Sequence, residues 1–261
     1  MRVLRKKSLG QHFLRSEGAL RKIVAAAHLT PGETVLEVGP GEGVLTARLL
    51  GAGARVVAVE KDARLIPLLQ EKFFSEITSG RLTLIQQDIL LFNPLAYQLL
   101  AMSYKLVANL PYYITGAFLK KFLSTQEQPS RMVLLLQKEV AKRIIAADGK
   151  ESILSISVKA YGMPHYIDTV KAGSFSPPPK VDSAIIAIEN ISRNLFADVA
   201  EEEKFFALLK KGFSKKRKLL RSVLGVSLEV FEHCGISTNA RPENLTRAEW
   251  KCLAANKKIE Q

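Results

Sequence analysis

The segment Thr34-Val35-Leu36-Glu37-Val38-Gly39-Pro40-Gly41-Glu42-Gly43-Val44-Leu45-Thr46 constrains this chain more than any other. A short apolar run leads into three glycines at alternate positions and then into an amphipathic segment, the strand, turn and helix start of a nucleotide-binding βαβ unit. Glycines suit a turn where the chain reverses sharply and ligand atoms approach the backbone, because a Cβ there would collide. The spacing argues against a dinucleotide: Val44 and Leu45 follow Gly43, so the third glycine of G-x-G-x-x-G is missing. With Glu37 two residues before Gly39, E-x-G-x-G-x-G has the shape of an S-adenosylmethionine loop. A carboxylate there suits a cofactor with an ammonium group better than one with a pyrophosphate.

The flanking sequence repeats the strand-then-helix alternation. A helix is expected from Ser16 to about His28, with Leu20, Ile23, Val24 and Ala27 on its apolar face, ended by Thr30-Pro31-Gly32. After the glycine turn, helix is expected over 45–50, strand over 55–59, helix through Leu65 to Lys72, and strand over 82–85. A fourth strand, 105–108, a helix near 117–123 and a fifth strand, 132–136, follow. Such alternation predicts a Rossmann-like, doubly wound and mainly parallel α/β sheet. Ligands of these sheets bind outside the carboxyl ends of the strands. Four successive strands here end in polar residues: Glu37, Glu60, Asp88 and Asn109. Glu60 lies 21 residues after Gly39, where an acid accepts from the ribose hydroxyls of an adenosine, and Asp88 can accept from an adenine amino group.

The runs 166–170 and 184–188 are expected to pair antiparallel across the proline-stiffened loop 173–183 and complete the sheet. From about Ser192 the pattern turns helical and charge-rich. Domains are therefore expected at 1–191 and 192–261, the second small, all-helical and basic. Thr246-Arg247-Ala248-Glu249 has the capping-box pattern and should start the last helix, with Trp250 and Leu253 inward.

The net charge of +13 points to a polyanionic partner, most simply nucleic acid. Lys210, Lys211, Lys215, Lys216, Arg217, Lys218 and Arg221 fall within twelve positions without an acid among them. No apolar run reaches bilayer length, and the basic start has no signal-peptide core behind it, so a cytoplasmic protein without a membrane partner is expected. The two cysteines, Cys234 and Cys252, are expected to be free packing residues, and the four scattered histidines lack ligand spacing, so no metal is expected.

Asn109-Leu110-Pro111-Tyr112 suits methylation of an exocyclic amine, whose lone pair is delocalised into the ring. Two fixed acceptors, the Asn109 side-chain oxygen and the Leu110 carbonyl, can hydrogen-bond the two N–H groups and draw the nitrogen toward tetrahedral geometry. Pro111 would stiffen the turn, and Tyr112 offers a face for a flipped-out base.

Together, Ser8-Leu9-Gly10-Gln11-His12-Phe13-Leu14, Glu37 to Thr46, Gln87-Asp88, Asn109-Leu110-Pro111-Tyr112-Tyr113-Ile114 and Phe175-Ser176-Pro177-Pro178-Pro179-Lys180-Val181-Asp182-Ser183 resemble the successive motifs of the ribosomal RNA adenine N6,N6-dimethyltransferases. The resemblance spans nearly the whole chain. It implies a seven-stranded methyltransferase sheet and S-adenosylmethionine-binding positions at His12, Leu14, Gly39, Glu60, Asp88 and Asn109. His12 departs from the asparagine often found there. Phe175 would form a second aromatic wall of the base pocket. Macrolide-resistance methyltransferases of large-subunit RNA share the early motifs, but 177–183 and Phe213 to Arg221 resemble the small-subunit branch. That branch dimethylates two adjacent adenines in a loop near the 3′ end of small-subunit RNA. A monomer acting on a pre-ribosomal small subunit is expected, with Lys215, Lys216, Arg217, Lys218 and Arg221 on the RNA. The competing readings are a nucleic-acid-binding transcription or assembly factor on the same fold, which the intact Asn-Leu-Pro-Tyr motif disfavours, and a DNA adenine methyltransferase, which the terminal motifs disfavour.

Overall fold

The computed structural model describes residues 12–215 and 218–256. The described residues up to 141, with 163–191, form one compact unit, and 142–162, with those from 192 onward, form a second.

The first unit begins with a two-residue strand, β1 (Phe13–Leu14), and helix α1 (Glu17–Ala27). Ser16 caps α1 by accepting from the Ala19 N–H, and His28 ends it in the left-handed region at φ 48°. Strand β2 (Thr34–Val38), helix α2 (Val44–Gly51), strand β3 (Arg55–Glu60), helices α3 (Ile66–Lys72) and α4 (Phe74–Thr78), and strand β4 (Leu82–Gln86) follow. The chain then returns through β5 (Tyr104–Asn109), α5 (Thr115–Ser124) and β6 (Arg131–Gln137). Helix α6 (Lys138–Ile145) contains the division between the units, and α7 (Ile153–Lys159) precedes the last three strands, β7 (Met163–Val170), β8 (Phe175–Ser176) and β9 (Ser183–Glu189).

The main sheet has seven strands in the order β4-β3-β2-β5-β6-β9-β7. The first five are parallel, while β9 runs antiparallel to both β6 and β7. The expected antiparallel completion is therefore present. Strands β2, β3, β5 and β6 are apolar along nearly their whole length, as strands covered on both faces must be. The apolar face of α1 (Leu20, Ile23, Ala27) joins Val35, Val56, Val107, Val133 and Ile185 in one core.

From β2 the chain winds outward through β3 to β4, then restarts at β5 on the other side of β2, with Val38 opposite Ala108. That reversal makes the β2/β5 boundary the topological switch point, where the loops after both strands diverge and leave a crevice.

The second unit contains α7 and the helices α8 (Val199–Phe213), α9 (Leu220–Leu224), α10 (Leu228–His233) and α11 (Arg247–Ala255). Phe205, Leu208, Leu209 and Phe213 are buried along α8, and the Phe213 ring stacks on Trp250 of α11 at 5.7 Å. The Thr246–Glu249 capping box is formed, and Trp250 and Leu253 are buried.

Two expectations need correction here. Residues 142–162, counted with the first domain, cluster with the second unit: the Ser192 N–H bonds the Tyr161 carbonyl, Glu151 N–H bonds Glu243, and the Tyr161 ring stacks on Phe206 while its hydroxyl donates to Glu202. Along the chain helix α7 comes only a few residues before β7, so its membership is invisible to a linear reading. Cys234 and Cys252 are bonded to one another rather than free, with Cα atoms 5.7 Å apart, because the cap of α10 and the middle of α11 lie side by side.

Candidate active site at the topological switch point

The loops after β2, β3, β4 and β5 converge with the β1 segment around one cavity. Its lining includes His12, Leu14, Gly39, Glu60, Lys61, Asp88, Asn109, Leu110, Pro111, Tyr112 and Tyr113. All six expected cofactor positions and the whole Asn-Leu-Pro-Tyr turn are thus brought together.

On the cavity floor, the Gly39 N–H bonds the Val59 carbonyl at 3.0 Å, and a Cβ on Gly39 would stand 3.7 Å from the Asn109 carbonyl oxygen. Gly39 has φ 71°, a conformation costly for a residue with a Cβ. The other two glycines answer to packing. A Cβ on Gly41 would meet the Phe13 ring at 2.9 Å, and one on Gly43 would run into the ring of Phe73.

Glu60 is buried and holds this turn from below: one carboxylate oxygen accepts from Gly41 N–H at 3.1 Å and the other from Asp62 N–H at 2.8 Å. Burial raises its pKa, and these two N–H groups oppose the shift. A carboxylate offers about four acceptor sites, so capacity for a further donor remains. Asp88 accepts from Leu90 N–H at 2.9 Å and from the Lys61 ammonium at 2.7 Å. The Lys61 hydrogen bond is the main cause of its lowered pKa. Lys61 was not singled out from sequence, although its position beside Glu60 on the strand-end loop was a usable signal.

Glu37 stands apart from this rim. Its side chain is 1% exposed, does not line the cavity, and faces Thr46 in the first turn of α2. Burial pushes its pKa up to about 8 against the opposing hydrogen bonding of Thr46, and the carboxylate of Glu60 adds to the rise. Being penultimate in β2, it points into a sheet face, not off the strand end. The expectation of a rim carboxylate for a cofactor ammonium is corrected: Glu37 is a buried acid beneath the loop.

Opposite, the Asn109 Nδ2 donates to the His12 carbonyl at 3.2 Å. A carbonyl only accepts, so this bond fixes the amide orientation and leaves Oδ1 as its acceptor. The Leu110 side chain is buried and its N–H bonds the Leu135 carbonyl at 3.3 Å, holding the turn to β6. Pro111 has φ −57° and precedes a short 3-10 turn, Tyr112–Ile114. The Tyr112 hydroxyl lies 2.9 Å from the Ser183 hydroxyl, and its pKa is raised by burial.

Phe175 is not at the cavity. It is 4% exposed, paired opposite Leu14 in the small β1/β8 sheet, and part of the apolar core. The same pairing, with the Arg15 N–H bonded to the Ser174 carbonyl at 2.8 Å, secures the His12 to Leu14 segment along the site. Sequence reasoning missed these two-residue strands because they have no periodicity to detect.

Over residues 3–257 the chain matches the family described as ribosomal RNA adenine dimethylase. It belongs to that family. A relative named ribosomal RNA small subunit methyltransferase A from Dehalococcoides mccartyi is 45% identical over 95% of this chain and 87% of its own length. One of the same name from Thermosynechococcus vestitus is 38% identical over 95% of each. Among solved structures, a dimethyladenosine transferase from Plasmodium falciparum superposes with a TM-score of 0.80 at 27% identity, covering 93% of this chain and 96% of that one. The 23S rRNA methyltransferase ErmE gives 0.77 at 25% identity, covering 95% and 100%. This family membership makes the switch-point cavity the candidate methyl-transfer site of an adenine dimethylase.

In the second unit, Lys210, Lys211, Lys215 and Lys218 are exposed and Arg221 is half-buried. Lys216 and Arg217 lie outside the described residues, as do the basic positions Arg2, Arg5, Lys6 and Lys7 and the start of the Ser8 to Leu14 motif. Among the described residues there is no cluster able to hold a metal ion and no helix long and apolar enough to cross a membrane.

Proposed function

We propose that this protein dimethylates the N6 amino groups of two adjacent adenines near the 3′ end of small-subunit ribosomal RNA, using S-adenosylmethionine. The observation that carries the reading is the Asn109 amide, whose Nδ2 is committed to the His12 carbonyl so that Oδ1 is left to accept, beside Tyr112 in the switch-point cavity. The names of the 38–45% identical relatives favour the small-subunit RNA over the large.

The residues present fit the cofactor. Gly39 gives a floor without a side chain, Glu60 and Asp88 offer carboxylates at neighbouring strand ends for ribose hydroxyls and an adenine amino group, and Leu14 adds apolar lining. His12 and Asn109 would hold the methionine end. When bound, S-adenosylmethionine supplies an electrophilic methyl group. Asn109 Oδ1 and the Leu110 carbonyl accept the two N6 hydrogens and pull the lone pair out of conjugation, while Pro111 limits the freedom of that carbonyl. Tyr112 stacks on the extruded base, and its π-face favours the positive charge that develops on nitrogen. No protein base is required, since the N-alkylated product cation is acidic enough to lose its proton to water. After the first transfer one N–H remains, and neither acceptor needs both, so a second round is open. The basic stretch 215–221 is the proposed RNA surface, and the protein acts as a cytoplasmic monomer.

The test is transfer of labelled methyl to small subunits lacking the modification, against naked RNA, large subunits and DNA, followed by nuclease digestion. Dimethyladenosine from small subunits is expected, and Asn109→Ala, saturated with cofactor, should lower kcat on the order of 100-fold while RNA-particle binding persists. Monomethyladenosine alone after exhaustive reaction, or transfer only to large subunits or DNA, would overturn the reading.

A further inference from the structure

A pair of side chains capable of reversible covalent chemistry lies in the second unit, away from the switch-point cavity. Cys234 caps the C-terminal end of α10 and Cys252 lies in α11, 18 residues further along the chain. Both are half-buried, so a small solvent-borne thiol can reach them. In a thiol-rich cytoplasm a disulfide is as a rule transient or redox-sensing. The joined helices are short, six and nine residues, lengths that do not persist without tertiary support.

The bond steadies the basic stretch. On the Cys252 arm, Trp250 of the same helix stacks on Phe213 at the end of α8. A Cβ on Gly212 would run into the Trp250 ring and stand 2.9 Å from Leu220 Cδ1, so these three residues close on one point. On the Cys234 arm, the chain leaving α10 supplies the Ala240 carbonyl, which accepts from the Leu220 N–H at 2.9 Å. Both arms meet at Leu220, the first residue of α9, with Lys218 two residues before it and Arg221 next after it. Lys211 joins the same corner, its ammonium donating to the Leu224 carbonyl at 3.3 Å.

We propose that Cys234 and Cys252 form a reversible thiol–disulfide site whose substrate is a low-molecular-weight thiol, and that the oxidised form stiffens the basic stretch for RNA. The consequence for RNA rests on the proposed basic surface. A small thiolate attacks one cysteine sulfur and breaks the S–S bond, leaving a mixed disulfide and a cysteine thiolate that takes up a proton. A second small thiolate attacks the small molecule's sulfur in that mixed disulfide and releases the other cysteine, which is protonated in turn. The protein gains two electrons and two protons, and two small thiols become one disulfide.

The test places the full chain in a series of reduced and oxidised glutathione mixtures. It counts free thiols by alkylation and mass spectrometry, follows the fluorescence of the single tryptophan, Trp250, and measures RNA-particle affinity across salt. The bond should titrate within the series, and Trp250 fluorescence and RNA affinity should shift at the same midpoint. Reduction should lower the unfolding temperature read at Trp250 on the order of 10 °C and flatten the log–log salt slope by about 0.7 or more, one lost phosphate contact. A chain with both Cys234→Ser and Cys252→Ser should show the reduced values in every mixture, while calorimetric S-adenosylmethionine binding stays as in the wild type. A bond that survives excess reduced glutathione in the folded chain would be a permanent staple, and the proposal would fail. It would fail equally if no bond formed under oxidised glutathione, or if the bond titrated while Trp250 fluorescence and RNA affinity stayed constant. If a chain with Lys211, Lys215 and Lys218 changed to Gln bound the particle as the oxidised wild type does, the basic-surface reading would fall instead, and the thiol count with Trp250 fluorescence would still decide the exchange.

Discussion

The buried acid beneath the glycine turn gives the sharpest physical prediction. Glu37→Gln keeps the size and the neutral form of the side chain and removes its ability to ionise. Burial raises the carboxyl from 4.5 to about 8, so the folded state holds a proton that the unfolded chain releases. The sign follows: a raised folded value gives stability fully present below 4.5 and progressively lost as pH rises to about 8. At 1.36 kcal/mol per unit, the wild type should lose about 3 kcal/mol between pH 4.5 and pH 7, and about 5 kcal/mol by pH 9, relative to Glu37→Gln. Denaturant unfolding of both proteins from pH 5 to pH 9 checks this, with amide exchange in β2 and β5 as the readout because the single tryptophan, Trp250, lies in the other unit. S-adenosylmethionine affinity at pH 7 should change less than about tenfold, since the carboxyl is already neutral there. Parallel pH curves for the two proteins would mean that Glu37 is ionised at neutral pH in the folded state, and the account of it as a buried neutral acid would be wrong.

Three further outcomes are expected. Glu60→Ala removes the acceptor of the Gly41 and Asp62 N–H groups together with the proposed ribose contact; with charge-assisted bonds at about 1.5–3 kcal/mol, calorimetry should show cofactor affinity down roughly tenfold or more, and unchanged affinity would remove Glu60 from the site. Gly43→Ala puts a methyl into the Phe73 ring at φ 75° and should destabilise the first unit by about 2 kcal/mol or more, read as a lower unfolding midpoint; an unchanged midpoint would refute the packing reason for that glycine. Changing Lys215, Lys216, Arg217 and Lys218 together to Gln should weaken RNA-particle binding and flatten its log–log salt slope by up to about 0.7–0.9 per lost phosphate contact, and equal affinity with parallel slopes would make the cluster solvated surface.

The sheet, the glycine turn and the residues Glu60, Asp88 and Asn109 were legible in the sequence because each depends on local signals. Buried parallel strands need continuous apolar runs, tight turns need glycine and proline, and a residue at a strand end reaches the rim whatever the rest of the fold does. The capping box at Thr246 was readable for the same reason, since both partners lie within one helical turn. Other features depend on which distant segments meet. Glu37 reads as a rim acid by its nearness to the glycines, yet one residue of strand register turns its side chain into the protein. Phe175 carries a base-wall motif in sequence, but pairing of β8 with β1 sets it beside Leu14 in the apolar core. The Cys234–Cys252 bond and the attachment of α7 to the second unit likewise arise from helices adjacent in space and separated along the chain. The orientation of the Asn109 amide was also decided only by tertiary structure. It depends on a carbonyl at residue 12, 97 positions away, which the fold alone brings within hydrogen-bonding distance.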